Sequence, residues 1–160
     1  MKEFAALLLC ALPAVATAHV VLAPDTSPAG AYYAGVLRVG HGCDGAATTE
    51  LHVTIPAAAK DAKPQPKTGW TVSIERNGGR VTGLRWTGSL PADQFDSFGI
   101  MLVLDPAVTG AVYLPVVQRC GDTEKRWTQI PAEGAAWTSV PSPAPQLIVS
   151  PAMPEQHSNH

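Results

Sequence analysis

Read for the alternation of apolar and polar positions, the chain is a succession of short strands. Residues 31–39 set Tyr32, Val36 and Arg38 on one side and Tyr33, Gly35, Leu37 and Val39 on the other. That is the period of two expected of a strand with one buried face. Residues 48–55 alternate as cleanly, with Thr49, Leu51, Val53 and Ile55 facing one way and Glu50, His52 and Thr54 the other. Residues 70–76 and 80–87 flank Asn77-Gly78-Gly79, the composition of a tight hairpin turn. Runs at 20–22, 95–104, 111–119 and 125–130 bring the total to about eight strands separated by Gly and Pro. The last two runs, joined by Gly121-Asp122, read as a second hairpin. The stretch 57–67, with three Lys and two Pro, reads as an exposed connection. No segment carries the period of an amphipathic helix. The pattern predicts an all-β chain, an antiparallel β-sandwich of immunoglobulin-like, Greek-key type.

The two ends of the chain break this pattern. Lys2, the apolar run 4–12 and Ala16-Thr17-Ala18 read as a secretory signal with its small-residue cleavage site. The apolar run is too short to span a membrane, which takes about 20 residues. Residues 141–160 carry five prolines and end in polar residues, so they read as an extended, flexible tail. Leu147-Ile148-Val149 leaves open an additional edge strand. The expected organisation is a signal at 1–18, one domain at 19–140 and a tail at 141–160.

Charge and cysteine content narrow the function. The formal net charge is −2 and Lys and Arg form no long run, so nucleic acid and anionic lipid have no electrostatic foothold. After residue 18 two cysteines remain, Cys43 and Cys120. Export into an oxidising compartment favours a disulfide, with a thiolate pair for Cu(I) as the competing reading. If bridged, they bring His41, two residues before Cys43, into the same quarter of the domain as Trp127 on the strand returning from Cys120.

Candidate chemistry begins at the expected cleavage site. A mature terminus at His19 offers its α-amine and imidazole Nδ1 as two nitrogen donors from one residue, a chelate suited to Cu(II). His41, flanked by Gly40 and Gly42, is a third donor or a turn cap. Glu50 and His52 share the polar face of one strand; solvation is expected for both, with Glu50 a reserve oxygen ligand. Trp127 is either core or a face-on partner for a bound cation. Trp70 and Trp86 read as core. Met153, His157 and His160 are possible accessory copper ligands in the tail. No nucleophile elbow, metalloprotease helix or phosphate-cradling loop is present, so no enzyme is expected.

The chain from 19 to 131 resembles the YcnI-like copper-binding family. The matching pieces are His19-Val-Val-Leu-Ala-Pro24, Arg38-Val39, Val53-Thr-Ile-Pro56, Pro66-Lys-Thr-Gly-Trp70, Leu84-Arg-Trp-Thr87 and Leu90-Pro91. Phe95-Asp96-Ser-Phe98, Val117-Gln118 and Arg126-Trp127 complete the series in order. The resemblance implies an exported sandwich that binds Cu(II) through a single-histidine brace, with an acidic ligand and a nearby tryptophan. By position His19 is the brace and Trp127 the tryptophan. Where many relatives carry an Asn-Glu pair, this chain has His41-Gly42. The expectation is a periplasmic Cu(II) carrier in copper acquisition, trafficking or homeostasis, partnered by another periplasmic or membrane copper-handling protein. A metal-free interaction module of the cell envelope and a copper-dependent oxidase are the competing readings.

Overall fold

The computed structural model describes residues 19–152. The expected signal at 1–18 and Met153, His157 and His160 lie outside the described residues.

Among the described residues, twelve strands and one 3-10 turn, Trp137–Ser139, make three sheets. A four-stranded sheet runs in the order β1 (Val21–Ala23), β3 (Tyr32–Val39), β8 (Asp96–Leu104), β5 (Ala59–Pro64). A five-stranded sheet runs β11 (Thr123–Trp127), β10 (Val116–Cys120), β4 (Thr48–Thr54), β7 (Arg80–Leu90), β6 (Thr71–Asn77). The third is β2 (Thr26–Pro28), β12 (Gln146–Ser150), β9 (Gly110–Tyr113). All pairings are antiparallel except β12 with β2.

One core lies between the sheets. Leu37, Val39, Phe98, Leu102 and Leu104 of the four-stranded sheet share it with Leu51, Val53, Leu84, Trp86 and Val116 of the five-stranded sheet. Phe98 is the hinge of this packing, with Trp70 and Trp86 meeting it edge-on at ring separations of 4.9 and 5.7 Å. Each large apolar side chain so buried stabilises the fold by roughly 1.5–3 kcal/mol. The predicted alternation in β3 and β4 is what delivers these residues inward. The turn Gly78-Gly79 has positive φ at both positions, the backbone that a two-residue hairpin requires.

The structure corrects several expectations. The stretch 57–67 is not a solvated connection: it holds the edge strand β5, with Ala59 and Ala62 buried. Small apolar residues among lysines gave too little pattern to mark it. The run 111–119 divides at Pro115, which has no N–H for a ladder, and the two parts join different sheets. There the carbonyl of Pro115 accepts from the Thr54 N–H, and the Leu114 N–H donates to Pro145 O. A register shift between Thr48 and Glu50 turns Thr48 inward and Thr49 outward, reversing the predicted facing of Thr49.

The largest correction concerns 141–150, which belong to the sandwich rather than to a tail. β12 is the central strand of its sheet, with Leu147 and Val149 buried. The prolines stand before and after the strand, where no ladder hydrogen bond is lost. Replacing Leu147 by Ala is therefore expected to cost about 2–5 kcal/mol, as for other fully buried leucines. Urea unfolding of the variant measures it; an unchanged midpoint would show that β12 contributes little to the domain.

Candidate metal centre

The site is built at the end of the sandwich where β1 begins and β3 ends. β1 pairs with β3 through Val21↔Arg38 and Leu22↔Leu37. The pairing ends at Val21↔Arg38, two residues after His19, and β3 ends at Val39, two residues before His41. Val20, between His19 and β1, is buried, so the chain is fixed up to the residue before the histidine.

Two indoles flank His19. Its ring centroid lies 5.6 Å from that of Trp127 at an interplanar angle of 67°, and 5.3 Å from that of Trp137 at 61°. Both are edge-type contacts. Trp127 closes β11 and faces inward, while Trp137 starts the 3-10 turn and is anchored by Nε1–H donating to Ala144 O at 2.7 Å. Both of these contacts of the His19 ring are thus with indoles.

Behind Trp127 lies a buried polar cluster. Trp127 Nε1–H donates to Gln118 Oε1 at 3.1 Å. Gln118 Nε2 donates in turn to His41 O at 2.8 Å and to Thr48 Oγ1 at 2.7 Å. The cluster abuts the disulfide Cys43–Cys120, whose Cα atoms are 5.7 Å apart, and the Cys43 N–H donates to Cys120 Sγ at 3.1 Å. The bridge thus ties the 40–47 loop to the hairpin bearing Trp127, as the cysteine reading anticipated.

The remaining predicted residues separate. His41 shares the cluster through its main chain. Its Nδ1 contacts Gly42 O, and because a carbonyl only accepts, Nδ1 is the donor there, which leaves Nε2 as the ring nitrogen not used in that contact. Metal-bound histidines commonly have this arrangement. Glu50, the reserve oxygen ligand, lies elsewhere: β4 turns it to the outer face, where Arg85 and Arg119 take Oε1. Its carboxylate is committed to two guanidinium groups and does not join His19. His52, expected to be merely solvated, meets Glu75 at 3.1 Å on that same face.

Among the described residues no three His, Cys, Asp or Glu side chains gather to hold a metal. Two residues of the site were given no role in the sequence reading. Gln118 had a signal, being polar between Val116 and Cys120 on an inward face. Trp137 had only its isolation among Ala, Glu and Gly.

The architecture is that of an immunoglobulin-like β-sandwich. The chain belongs to the family described as a domain of unknown function (DUF1775), the YcnI-like domain, whose sequence model matches residues 19–149. It is similar to an uncharacterized protein from Nocardia farcinica whose crystal structure has an immunoglobulin-like fold. The TM-score is 0.69 and the identity 27%, over 84% of this chain and 99% of that one. A looser likeness is to the seventh ScaB type I cohesin from Pseudobacteroides cellulosolvens. There the TM-score is 0.48 and the identity 13%, over 89% of this chain and 97% of that one. No curated protein matches the chain.

The outer face that takes Glu50 also makes a pH prediction. The Arg85 hydrogen bond holds the Glu75 carboxyl below the ordinary range, with His52 acting in the same direction against a smaller burial effect. A carboxyl lowered on folding stabilises fully above its unfolded value, near 4.5, and loses that contribution as pH falls through the folded value. Being half-exposed, the group contributes on the order of 0.5 kcal/mol. Glu75→Gln should lower stability by that amount at pH 7, and the difference should shrink as pH falls below 4.5, in urea titrations at each pH. A constant difference across that range would refute the assignment.

Proposed function

We propose that the processed chain is an exported Cu(II)-binding protein of the periplasm, serving copper acquisition, trafficking or homeostasis. The observation that carries the proposal is the setting of His19. It is the first residue matched by the family's sequence model, stands directly after the expected cleavage site, and lies between two indoles.

Cleavage after Ala18 would give His19 a free α-amine beside its imidazole. The amine and Nδ1 then close a chelate, and His41 Nε2 is the third nitrogen this reading assigns. A bound Cu(II) supplies a square-planar preference for nitrogen donors. Trp127 and Trp137 limit the approach of water and further ligands. The donors bind metal only when deprotonated, so affinity falls as pH falls. The reading assigns no catalysis, and places the handover of copper with a second periplasmic or membrane copper-handling protein. Met153, His157 and His160 are accessory ligands in it.

Mass analysis of the exported protein, joined to EPR of its one-equivalent Cu(II) complex, tests this. The expected results are a chain starting at His19 and hyperfine structure from at least two nitrogens. A variant retaining Met ahead of His19 keeps every fold-bearing residue and lacks the amine. Its Cu(II) affinity should fall by more than the roughly 10–100-fold typical of changes behind the ligands. Undiminished affinity in that variant removes the brace, and absence of copper binding in correctly cleaved protein leaves the envelope interaction module. Turnover of ascorbate or peroxide well above that of free copper would favour the oxidase.

A further inference from the structure

We infer that Gln118 is the positioning residue of the His19 site, fixing the Trp127 indole against the histidine from inside the core. The inference rests on the proposed role of His19 for its bearing on metal, but its geometric content stands without metal.

Gln118 is 2% exposed, on a β10 face otherwise given to Val116 and Cys120. An uncharged amide so placed destabilises the fold unless its hydrogen-bonding atoms are satisfied. Here Oε1 takes the Trp127 N–H and Nε2 gives to both His41 O and Thr48 Oγ1. The two donors on Nε2 and their acceptors settle which end of the amide is oxygen. Only the oxygen can then face the indole N–H, since turning the amide over would set donor against donor.

The consequence is directional. Cross-strand pairing sets Trp127 opposite Val116 and Gln118 opposite Lys125, so Gln118 and Trp127 are diagonal neighbours on the inner face. The hydrogen bond selects the Trp127 rotamer that lays the ring edge-on to His19. Because the same amide holds His41 O, the loop carrying the third assigned nitrogen and the tryptophan wall are fixed relative to each other by one side chain. Trp137 is anchored instead to main chain at Ala144 and, among the described residues, makes no hydrogen bond to the His41 loop. A leucine or methionine would fill the volume of Gln118 and leave the indole N–H without its partner.

Gln118→Met, compared with the parent and with Thr48→Val, tests this in the processed, disulfide-intact protein. NMR of the metal-free forms reads the exchange of the Trp127 indole N–H and the ring-current shifts of the His19 ring protons. In Gln118→Met the indole N–H should exchange about tenfold faster, the factor one ordinary hydrogen bond is worth. The His19 ring protons should lose part of their ring-current shift. Thr48→Val, which spares the Gln118–Trp127 bond, should change neither. If Gln118→Met leaves both signals at their parental values, the inference is wrong. With Cu(II), the variant should also give an altered EPR spectrum; a released indole with an unaltered copper spectrum removes Gln118 from the metal site. Parent protein that binds no Cu(II) at His19 defeats the proposed function, while the metal-free readings still decide whether Gln118 positions Trp127. Should Gln118→Met not fold, the parent decides: an indole N–H that exchanges at the solvent rate overturns the inference.

Discussion

A loop without a strand partner of its own must be held by something other than a ladder, and in this domain that constraint falls on residues 40–47. The Cys43–Cys120 bridge spans 77 residues of sequence and pins the loop to β10. In the chain-entropy account, closing so long a loop stabilises the fold by about 4 kcal/mol. The Gln118 amide then takes the His41 carbonyl, and the Gly42 N–H donates to Ala92 O at 3.2 Å. Gly42 leaves no room for a side chain, since a Cβ there would fall 1.9 Å from Ala46 O. The end of the sandwich is consequently a fixed surface rather than a set of independent loops, and the β1–β3 register delivers His19 onto it.

The five-stranded sheet separates two kinds of work between its faces. Inward, Leu51, Leu84, Trp86 and Val116 supply apolar burial, worth roughly 1.5–3 kcal/mol for each large side chain. Outward, charges alternate across the strands: Glu124, Arg119, Glu50, Arg85, Glu75 and His52 form a connected series. Pairs as exposed as these contribute at most about 1 kcal/mol each. Burial therefore decides stability, while the alternation favours the observed register, because a one-residue slip would bring the charged side chains onto the core face. Gly83 belongs to this outer face: a Cβ there would lie 2.5 Å from Glu75 Oε2 and 2.9 Å from His52 Nε2. The absence of a side chain is what lets that pair close over β7.

The legible parts of the chain were those where local chemistry and tertiary demand agree. The β6–β7 hairpin follows from Asn77-Gly78-Gly79, and β3 and β4 follow from alternation, because each buries one face only. β12 was obscured because prolines around it gave the composition of a tail, while its Leu147-Ile148-Val149 run is too short to be distinctive. β5 was obscured because alanine buries little area and leaves almost no periodic signal. Pro115 was visible, but the strand's transfer between sheets depends on where Thr54 and Pro145 lie, which the sequence does not state. At the site, Trp127 was singled out through the family resemblance, and Glu50, held in reserve as an oxygen ligand, pairs instead with Arg85 and Arg119. Its candidacy rested on residue type, whereas β4 alternation had already put it on the face away from the core. Trp137 was illegible for a different reason: its contact with His19 depends on the path of an irregular segment.

The proximity of His19 to the first strand bears on how tightly a metal can be held. A disordered terminus must be ordered on binding, which costs roughly 1–2 kcal/mol for each backbone residue fixed. Here Val20 is already buried and β1 is already paired, so ordering by a ligand would extend over His19 alone. The two tryptophans restrict the imidazole further before any ligand arrives. The same economy sets a strict demand on processing. A terminus displaced by even one residue moves the amine off the chelating atom set, while the strand register prevents the chain from sliding to compensate. β1 could shift by two residues and keep its facing, but Val20 and Leu22 would then leave the positions that bury them. The proposed metal centre thus depends on a cleavage event outside the sandwich and on a register inside it, and the buried side chains of β1 make the second condition the harder to relax.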